Sequence, residues 1–355
     1  MQHGMLPLLV HHLRHQHEDA VPAADMAQLQ AQFQAHARHN LLQTHTLLML
    51  LDVFSRHGIP AVPYKGPLLG ATLYGNLTLR PFCDLDVIVR KCDVRIAKEL
   101  LIAQGFRLSE PMTVAQEKAH MQQQHAYAFV SDTDRISIDL HWDVAPRYFA
   151  VNFDSDGIWS RLQTVDLCGK TVESVSADDL LLMLCIHGGK HRWCRLSWLC
   201  DVALLLNVNP DLNWAALQQT ARQMNCERLL LLGLRLAVDL MAAPLPAEIL
   251  RAVRANVPVR ALAAKIRRRL CDAGEPSFGF IEHELLYPRM RERWRDRIPY
   301  SVYVLRQSAR LRAQDRSMMR VPAYLSMLYY PLRVVRLVGT YGLRPLRARL
   351  GGKIG

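Results

Sequence analysis

Apolar residues recur at helical spacing along the first part of the chain. Between Leu41 and Phe54 they fall three or four positions apart, which is the repeat of a helix with one buried side. Gly58-Ile59-Pro60 then ends the run, because glycine and proline both interrupt helices. The pattern predicts an N-terminal helical segment over residues 1–57.

Short apolar runs alternate with helical patterns over residues 58–175. The predicted strands are 59–64, 84–89, 125–130 and 135–142, and the predicted helices begin at Pro67 and at about Asp93. The last two strands flank Ser131-Asp132-Thr133-Asp134, a polar run typical of a turn, and are expected to form a hairpin. This alternation favours a small domain in which helices pack on a mixed sheet.

Helical spacing returns after residue 175. Ser176, followed by Asp178 and Asp179, is typical of a helix start. The predicted helices are 177–190, 194–207, 213–224, 226–242 and 246–270. We therefore expect a helical domain over residues 176–315 and an α+β fold class for the chain. Residues 316–355 are a basic tail, too apolar for a purely disordered segment and too interrupted by arginine to span a membrane.

Three aspartates stand out against the apolar pattern of the predicted strands. Residues two apart on a strand point to the same side, so Asp84 and Asp86 share one face of their strand. Ser137, Asp139 and His141 alternate with apolar residues in a second strand, so Asp139 projects from a polar face that can lie beside the first pair. Two strands then supply one acidic cluster, the kind of site that binds hard cations. A solvated pair of acids is the competing interpretation of Asp84 and Asp86 taken alone.

Charge divides the chain unevenly. The formal net charge is +12, but residues 251–355 carry 23 Lys+Arg against 7 Asp+Glu, a net +16, which leaves −4 for residues 1–250. A basic C-terminal third can attract nucleic acid, anionic lipid or a phosphorylated substrate, and charge alone does not choose among them.

Composition also bears on the compartment. The eight cysteines show no CxxC pair and no zinc-type spacing with histidine, which favours reduced thiols in a cytoplasmic protein. The N-terminus lacks the basic and apolar regions of a signal peptide, and no apolar run reaches about 18 residues, so no transmembrane segment is expected.

Several short motifs together resemble a known family, the uncharacterised nucleotidyltransferases of the polymerase-beta-like superfamily. The resemblance rests on Lys65-Gly66, Arg80, Asp84-Leu85-Asp86, Asp139-Leu140-His141-Trp142 and the downstream His187, Lys190, His191, Trp193 and Asp201. It implies a small polymerase-beta-like catalytic domain, placed here at residues 58–175. The superfamily's usual Gly-Ser turn is replaced by Lys-Gly in this chain.

The resemblance implies transfer of a nucleoside monophosphate from an NTP, with Mg²⁺ or Mn²⁺ as cofactor. Asp84, Asp86 and Asp139 are then the catalytic metal ligands. The NTP-binding residues are expected to be Lys65, Gly66, Arg80 and Lys190, with the triphosphate placed near the start of the helix after Pro67.

The acceptor is left open by the sequence: a small molecule, a peptide or protein, or an RNA end. A second hypothesis is an inactive nucleotidyltransferase-like protein that binds RNA or an anionic membrane through the basic C-terminal third. For His141 and Trp142 a structural role competes with a place in the acceptor pocket, and for the basic residues 187–192 a solvated or core-bridging face is the alternative.

Overall fold

The computed structural model describes residues 3–16, 21–131, 136–271 and 286–309. The chain begins with two helices, α1 (Leu6–Gln16) and α2 (Ala23–Arg56), and α2 ends just before Gly58, whose φ is +68°. The fold thus has the N-terminal helices that the pattern predicts, while the boundary at residue 57 stays a prediction. Leu47, Leu50 and Phe54 of α2 are buried in the core beneath the sheet.

A five-stranded mixed sheet follows, in the order β1-β2-β5-β4-β3. The strands are β1 (Ala61–Pro63), β2 (Asp84–Val89), β3 (Phe106–Leu108), β4 (Ala126–Ser131) and β5 (Ser137–His141). Strands β2 and β5 are parallel, whereas the other neighbours are antiparallel. The predicted α+β class with a mixed sheet is confirmed, and β4 and β5 pair as predicted, although their connection at 132–135 lies outside the described residues.

The two faces of β2 enter two different cores, as its alternating pattern predicts. Leu85, Val87 and Val89 pack into the core shared with α2 and α4 (Val94–Ala103). Ile88 lies on the opposite face, in the core formed by the helices of the C-terminal half. Asp84 and Asp86 share that second face, so the acidic side of the sheet is turned toward the helical region.

One helix and one β-hairpin are not anticipated from the sequence pattern. Helix α5 (Val114–Gln123) begins with a reciprocal capping box between Thr113 and Gln116, a signal the sequence does contain. Strands β6 (Gln163–Leu167) and β7 (Lys170–Ser174) form a hairpin closed by Cys168-Gly169, both with positive φ, of 57° and 78°. Cysteine is an unusual residue in the first position of such a turn, which hides the hairpin in the sequence.

The helices predicted after residue 175 are present, with one correction. The remaining helices are α3 (Pro67–Thr72), α6 (Ser155–Ser160), α7 (Ala177–Lys190), α8 (Leu196–Val208), α9 (Trp214–Gln223), α10 (Glu227–Met241), α11 (Ala247–Ala255), α12 (Val257–Cys271), α13 (Leu286–Arg289) and α14 (Ile298–Ala309). The single helix expected over 246–270 is wrong: it is two, α11 and α12. The backbone of Asn256 has ψ 101°, which is not a helical angle, so α11 ends there. The Asn256 side-chain oxygen accepts a hydrogen bond from the backbone NH of Val259 at 3.1 Å and so caps α12. Pro258 fits the first turn of this second helix.

The C-terminal part of the chain is described only as far as residue 309. The predicted tail over 316–355 lies outside the described residues. Among the helices that are described, none combines the length and the apolar character needed to cross a bilayer.

Candidate active site

The parallel pairing of β2 with β5 brings two of the three predicted aspartates side by side. Asp86 is the register partner of Asp139, and Asp84 is that of Ser137. Since Asp84 lies two residues before Asp86, all three carboxylates rise from the same face of the sheet. Strand phase in the sequence predicts this face, and the parallel register supplies the alignment that the sequence leaves open.

Asp86 is the buried centre of this face. Its Oδ1 lies 2.9 Å from Lys65 Nζ and 2.9 Å from His141 Nε2, and the Tyr64 hydroxyl donates to it at 3.4 Å. Burial opposes ionisation of Asp86, but the Lys65 ammonium and the His141 hydrogen bond outweigh it and hold the pKa far below its ordinary value. These contacts favour the ionised form of Asp86.

Among the residues that the structure describes, no lysine or arginine forms an ion pair with the other two carboxylates. Burial and the neighbouring Asp86 carboxylate raise the pKa of Asp84 to about 6. Burial likewise raises the pKa of Asp139, and the negative charge of Asp86 adds to it. Both shifts show that burial, together with the charge of Asp86, disfavours the ionised forms of Asp84 and Asp139, and a cation bound at this face would favour them.

One set of ligand atoms on this face already has a spacing compatible with a metal ion. Asp86, Asp139 and His141 each offer one oxygen or nitrogen, and these atoms all lie within 4.8 Å of one another. This set contains His141, for which the sequence left a structural role open. Asp84 is outside it, so its predicted role as a ligand stays a prediction.

The Lys-Gly turn predicted to meet the triphosphate lies at the end of β1. Gly66 has φ 59° and ψ −127°, a conformation accessible almost only to glycine, and it precedes α3. A Cβ at Gly66 would lie 3.5 Å from the backbone oxygen of Asp84, so the turn runs directly beside β2. This conformation places the Lys65 side chain over the carboxylates.

A cleft of about 300 Å³ opens between this face and the helical region. Its sheet-side wall is formed by Lys65, Asp86 and residues 80–84, and its helical wall by His187, His191, Cys194, Arg195, Ser197 and Trp198. Two of the three predicted catalytic aspartates and two of the four predicted NTP-binding residues thus line one cleft.

Arg80 lines that cleft but is held by an ion pair. Its Nε and Nη2 donate to the two oxygens of Asp201 at 2.9 and 2.8 Å, and the Tyr74 hydroxyl donates to Asp201 at 2.8 Å. The Asn40 side chain donates to the backbone oxygens of Leu77 and Arg80, at 2.7 and 2.9 Å, which fixes the segment. Arg80 therefore joins the sheet region to α8, and its predicted phosphate contact stays a prediction.

Two lysines of the site are each paired with a neutral histidine. Lys65 Nζ donates to His187 Nδ1 at 3.2 Å, and Lys190 Nζ donates to His125 Nε2 at 3.0 Å. Burial and the adjacent ammonium groups depress the pKa of both histidines well below the ordinary value. Burial and the like charge of Lys65 lower the pKa of Lys190 to about 8.

Sequence reasoning missed three residues of this arrangement. Tyr64 contacts Asp86 and His141, His125 contacts Lys190, and Tyr74 contacts Asp201. Tyr64 stands directly before Lys65, so proximity to the Lys-Gly turn is a signal that could have found it. His125 and Tyr74 have no such signal, because their partners are 65 and 127 residues away along the chain.

Comparison with known proteins identifies the class to which this fold and face belong. Residues 1–242 match the model of a family described as uncharacterised nucleotidyltransferase, and the chain belongs to that family. It is thus a transferase of the nucleotidyltransferase class, as the motifs predict. No protein of curated function matches the chain in sequence.

Two solved structures are similar to the chain at a low level. The antibiotic-resistance factor ANT(2'')-Ia, in solution, is 13% identical with a TM-score of 0.32, over 64% of this chain and 98% of that one. An antigenic nucleotidyltransferase-like protein from Paracoccidioides brasiliensis is 13% identical with a TM-score of 0.34, over 61% of this chain and 93% of that one. Similarity at this level identifies neither a substrate nor the roles of particular residues.

Proposed function

We propose that this nucleotidyltransferase is metal-dependent and moves a nucleoside monophosphate from an NTP to an acceptor, with release of pyrophosphate. The single observation that carries the proposal is the parallel register that sets Asp86 beside Asp139, with Asp84 on the same face. Asp84, Asp86 and Asp139 are the proposed catalytic residues and metal ligands.

The residues present fit a hard divalent cation. The donors are mainly carboxylate oxygens on rigid strands, which suit Mg²⁺ and Mn²⁺. Burial and the charge of Asp86 raise the pKa values of Asp84 and Asp139, and such a cation would stabilise their ionised forms. When bound, the metal would stabilise the charge that develops on the phosphate oxygens during transfer.

The proposed reaction is an in-line substitution at the α-phosphorus of the NTP. An acceptor oxygen forms the new bond to this phosphorus, the bond to the oxygen shared with the β-phosphorus breaks, and pyrophosphate leaves. Asp139 accepts the proton of the acceptor. Lys65 and the backbone of Gly66 contact the departing phosphates, and Lys190 adds positive charge behind the carboxylates.

The proposal divides the chain by task. Residues 58–175 supply the carboxylates and the Lys-Gly turn, residues 176–315 supply the opposite wall of the cleft, and residues 1–57 support the sheet from its other face. The tail over 316–355 has no assigned task in the reaction. A cytoplasmic location is part of the proposal, because NTPs are available there.

Position-specific labelling tests the proposed function. The full chain is incubated with each NTP, with Mg²⁺ or Mn²⁺ and a cell extract, using label at the α-phosphorus in one series and at the γ-phosphorus in another. We expect label from the α series in a product of the extract, and label from the γ series only in pyrophosphate. Transfer of γ-label to the product would indicate a kinase and refute the proposal.

Substitution of the carboxylates connects the activity to the site. Asp84→Asn and Asp86→Asn should each lower transfer at least about 100-fold, since even indirect supports of metal ligands commonly matter by 10- to 100-fold. Asp84 is partly exposed whereas Asp86 is buried, so we expect Asp84→Asn to fold even if Asp86→Asn does not. Asp211→Asn, at an exposed position between α8 and α9, is the matched control and should retain activity.

A further inference from the structure

An exposed apolar stripe runs along the last described helix. Trp294, in a 3-10 turn over Trp294–Arg297, is 74% exposed, and Ile298, Val302 and Leu305 of α14 are 47%, 38% and 70% exposed. Intervals of four, four and three residues place these side chains on one side of the helix. We call this set the α14 stripe. Four large apolar side chains in a line on the surface are characteristic of an interaction site.

The opposite side of α14 is fixed on the body of the protein. Tyr300 is buried, and the ring of Tyr303 stacks on that of Tyr148 with centroids 3.6 Å apart. Val304 packs against the core of the helical region. A rotation of α14 that buried the stripe would break these contacts. The α14 stripe therefore faces away from the body of the protein.

The surface around the α14 stripe is positively charged. Residues 286–309 contain six arginines, and four of them are exposed: Arg289, Arg293, Arg295 and Arg306. The only acids in the same range are Glu292 and Asp296, and neither of them is exposed. An occupant of this surface must therefore bury apolar side chains and also bring negative charge.

Residues 272–285 of the chain itself carry four Asp+Glu and no Lys or Arg, and their docking on the stripe is an outcome that the vesicle experiment below distinguishes. Three other occupants fail one of these two requirements. Residues 310–355 follow α14 directly but carry 10 Lys+Arg against one Asp+Glu, so like charges oppose their docking there. A second copy of the same surface meets the same repulsion. A nucleic acid would pair with the arginines but has no apolar surface for the aliphatic side chains of Ile298, Val302 and Leu305.

We propose that the α14 stripe is a docking surface for membranes that contain anionic phospholipid. An interfacial helix of this kind places its aromatic and aliphatic side chains among the acyl chains while flanking arginines contact lipid phosphates. Each basic residue near an anionic surface adds about 1 kcal/mol of attraction. The docking is peripheral, because the opposite side of α14 stays packed on the protein. It is independent of the proposed transferase chemistry, and it would bring the enzyme to a bilayer surface.

Vesicle binding of the full chain tests this inference. Co-sedimentation is measured with phosphatidylcholine vesicles and with vesicles in which a third of the lipid is phosphatidylglycerol. We expect binding to the second kind, weakened by added salt, and little binding to the first. The double variant Trp294→Ser/Leu305→Ser should bind at least about tenfold more weakly, because it removes the two most exposed apolar groups of the stripe.

Val114→Ser/Val208→Ser is the matched control, since it also removes two exposed apolar side chains, from α5 and α8, and it should bind vesicles like the wild type. Thermal unfolding accompanies each variant. Failure of the wild type to bind anionic vesicles overturns the inference, and so does undiminished binding by the double variant. Loss of thermal stability in the double variant, without vesicle binding by the wild type, would instead show that the stripe is covered within the protein. Preferential binding of a short single-stranded RNA would assign the surface to nucleic acid.

Discussion

The ion pair between Arg80 and Asp201 provides the sharpest test of how the two halves of the cleft are joined. The side chains are only 7% and 1% exposed, and the guanidinium donates two hydrogen bonds to the carboxylate. Asp201→Asn keeps the side-chain volume but leaves the guanidinium buried without a counter-charge. Breaking a buried pair in this way costs about 3–5 kcal/mol, and we expect that loss in the free energy of unfolding.

Urea unfolding, followed by circular dichroism, measures this loss. Glu99→Gln is the control, because it breaks an exposed pair with Arg95 on α4, with both side chains more than half exposed, and should cost about 0.5 kcal/mol or less. The double variant Arg80→Met/Asp201→Leu should be more stable than Asp201→Asn, since it removes both charges together.

The reasoning is refuted if Asp201→Asn costs no more than Glu99→Gln. Nucleotide affinity of the same variants adds a second readout. If Arg80 also contacts phosphate, as the sequence predicts, Arg80→Met/Asp201→Leu should bind NTP more weakly while it remains folded. Unchanged NTP affinity would limit Arg80 to joining the sheet region to α8.

Two further predictions concern the Lys-Gly turn. Gly66→Ala should cost about 1–3 kcal/mol in stability and weaken NTP binding, because φ 59° with ψ −127° strains any other residue. Gly58→Ala, which also replaces a glycine of positive φ but lies outside the Lys-Gly turn, is the control: it should lose stability through the same kind of strain and keep NTP binding. Lys65→Met removes the ammonium that lies 2.9 Å from Asp86. The variant should bind Mn²⁺ roughly tenfold more tightly in the absence of nucleotide and should bind NTP more weakly, and titration calorimetry measures both affinities. Weaker Mn²⁺ binding by the variant would contradict this reasoning.

Local patterns in the sequence predicted the acidic face because a strand imposes a fixed alternation. Leu85, Val87 and Val89 had to be buried together, and Asp84 and Asp86 then had to share the other side. The same reasoning fixed the phase of Asp139. The parallel register of β2 and β5 could not be predicted from these patterns, because the residues of one strand do not determine which strand pairs with it or in which direction.

The surroundings of the carboxylates could be predicted only in part. His187 and Asp201 were noticed through the family resemblance, but their contacts with Lys65 and Arg80 join residues more than 120 positions apart. The β6–β7 hairpin was missed for a different reason. Its turn has Cys168 in a position of positive φ, where sequence patterns favour asparagine, aspartate or glycine.

The charges gathered in the site suggest an order for ligand binding. Three carboxylates face two ammonium groups, those of Lys65 and Lys190, so the carboxylate face itself has one more acidic group than basic groups. A triphosphate brought to this surface by itself would meet the repulsion of Asp84 and Asp139, and Lys65 is already engaged with Asp86. A divalent cation held by the carboxylates would offset that repulsion, and with Asp86 bound to the metal the Lys65 ammonium would be available to the phosphates. We therefore expect the metal and the nucleotide to bind with positive coupling, each raising the affinity for the other.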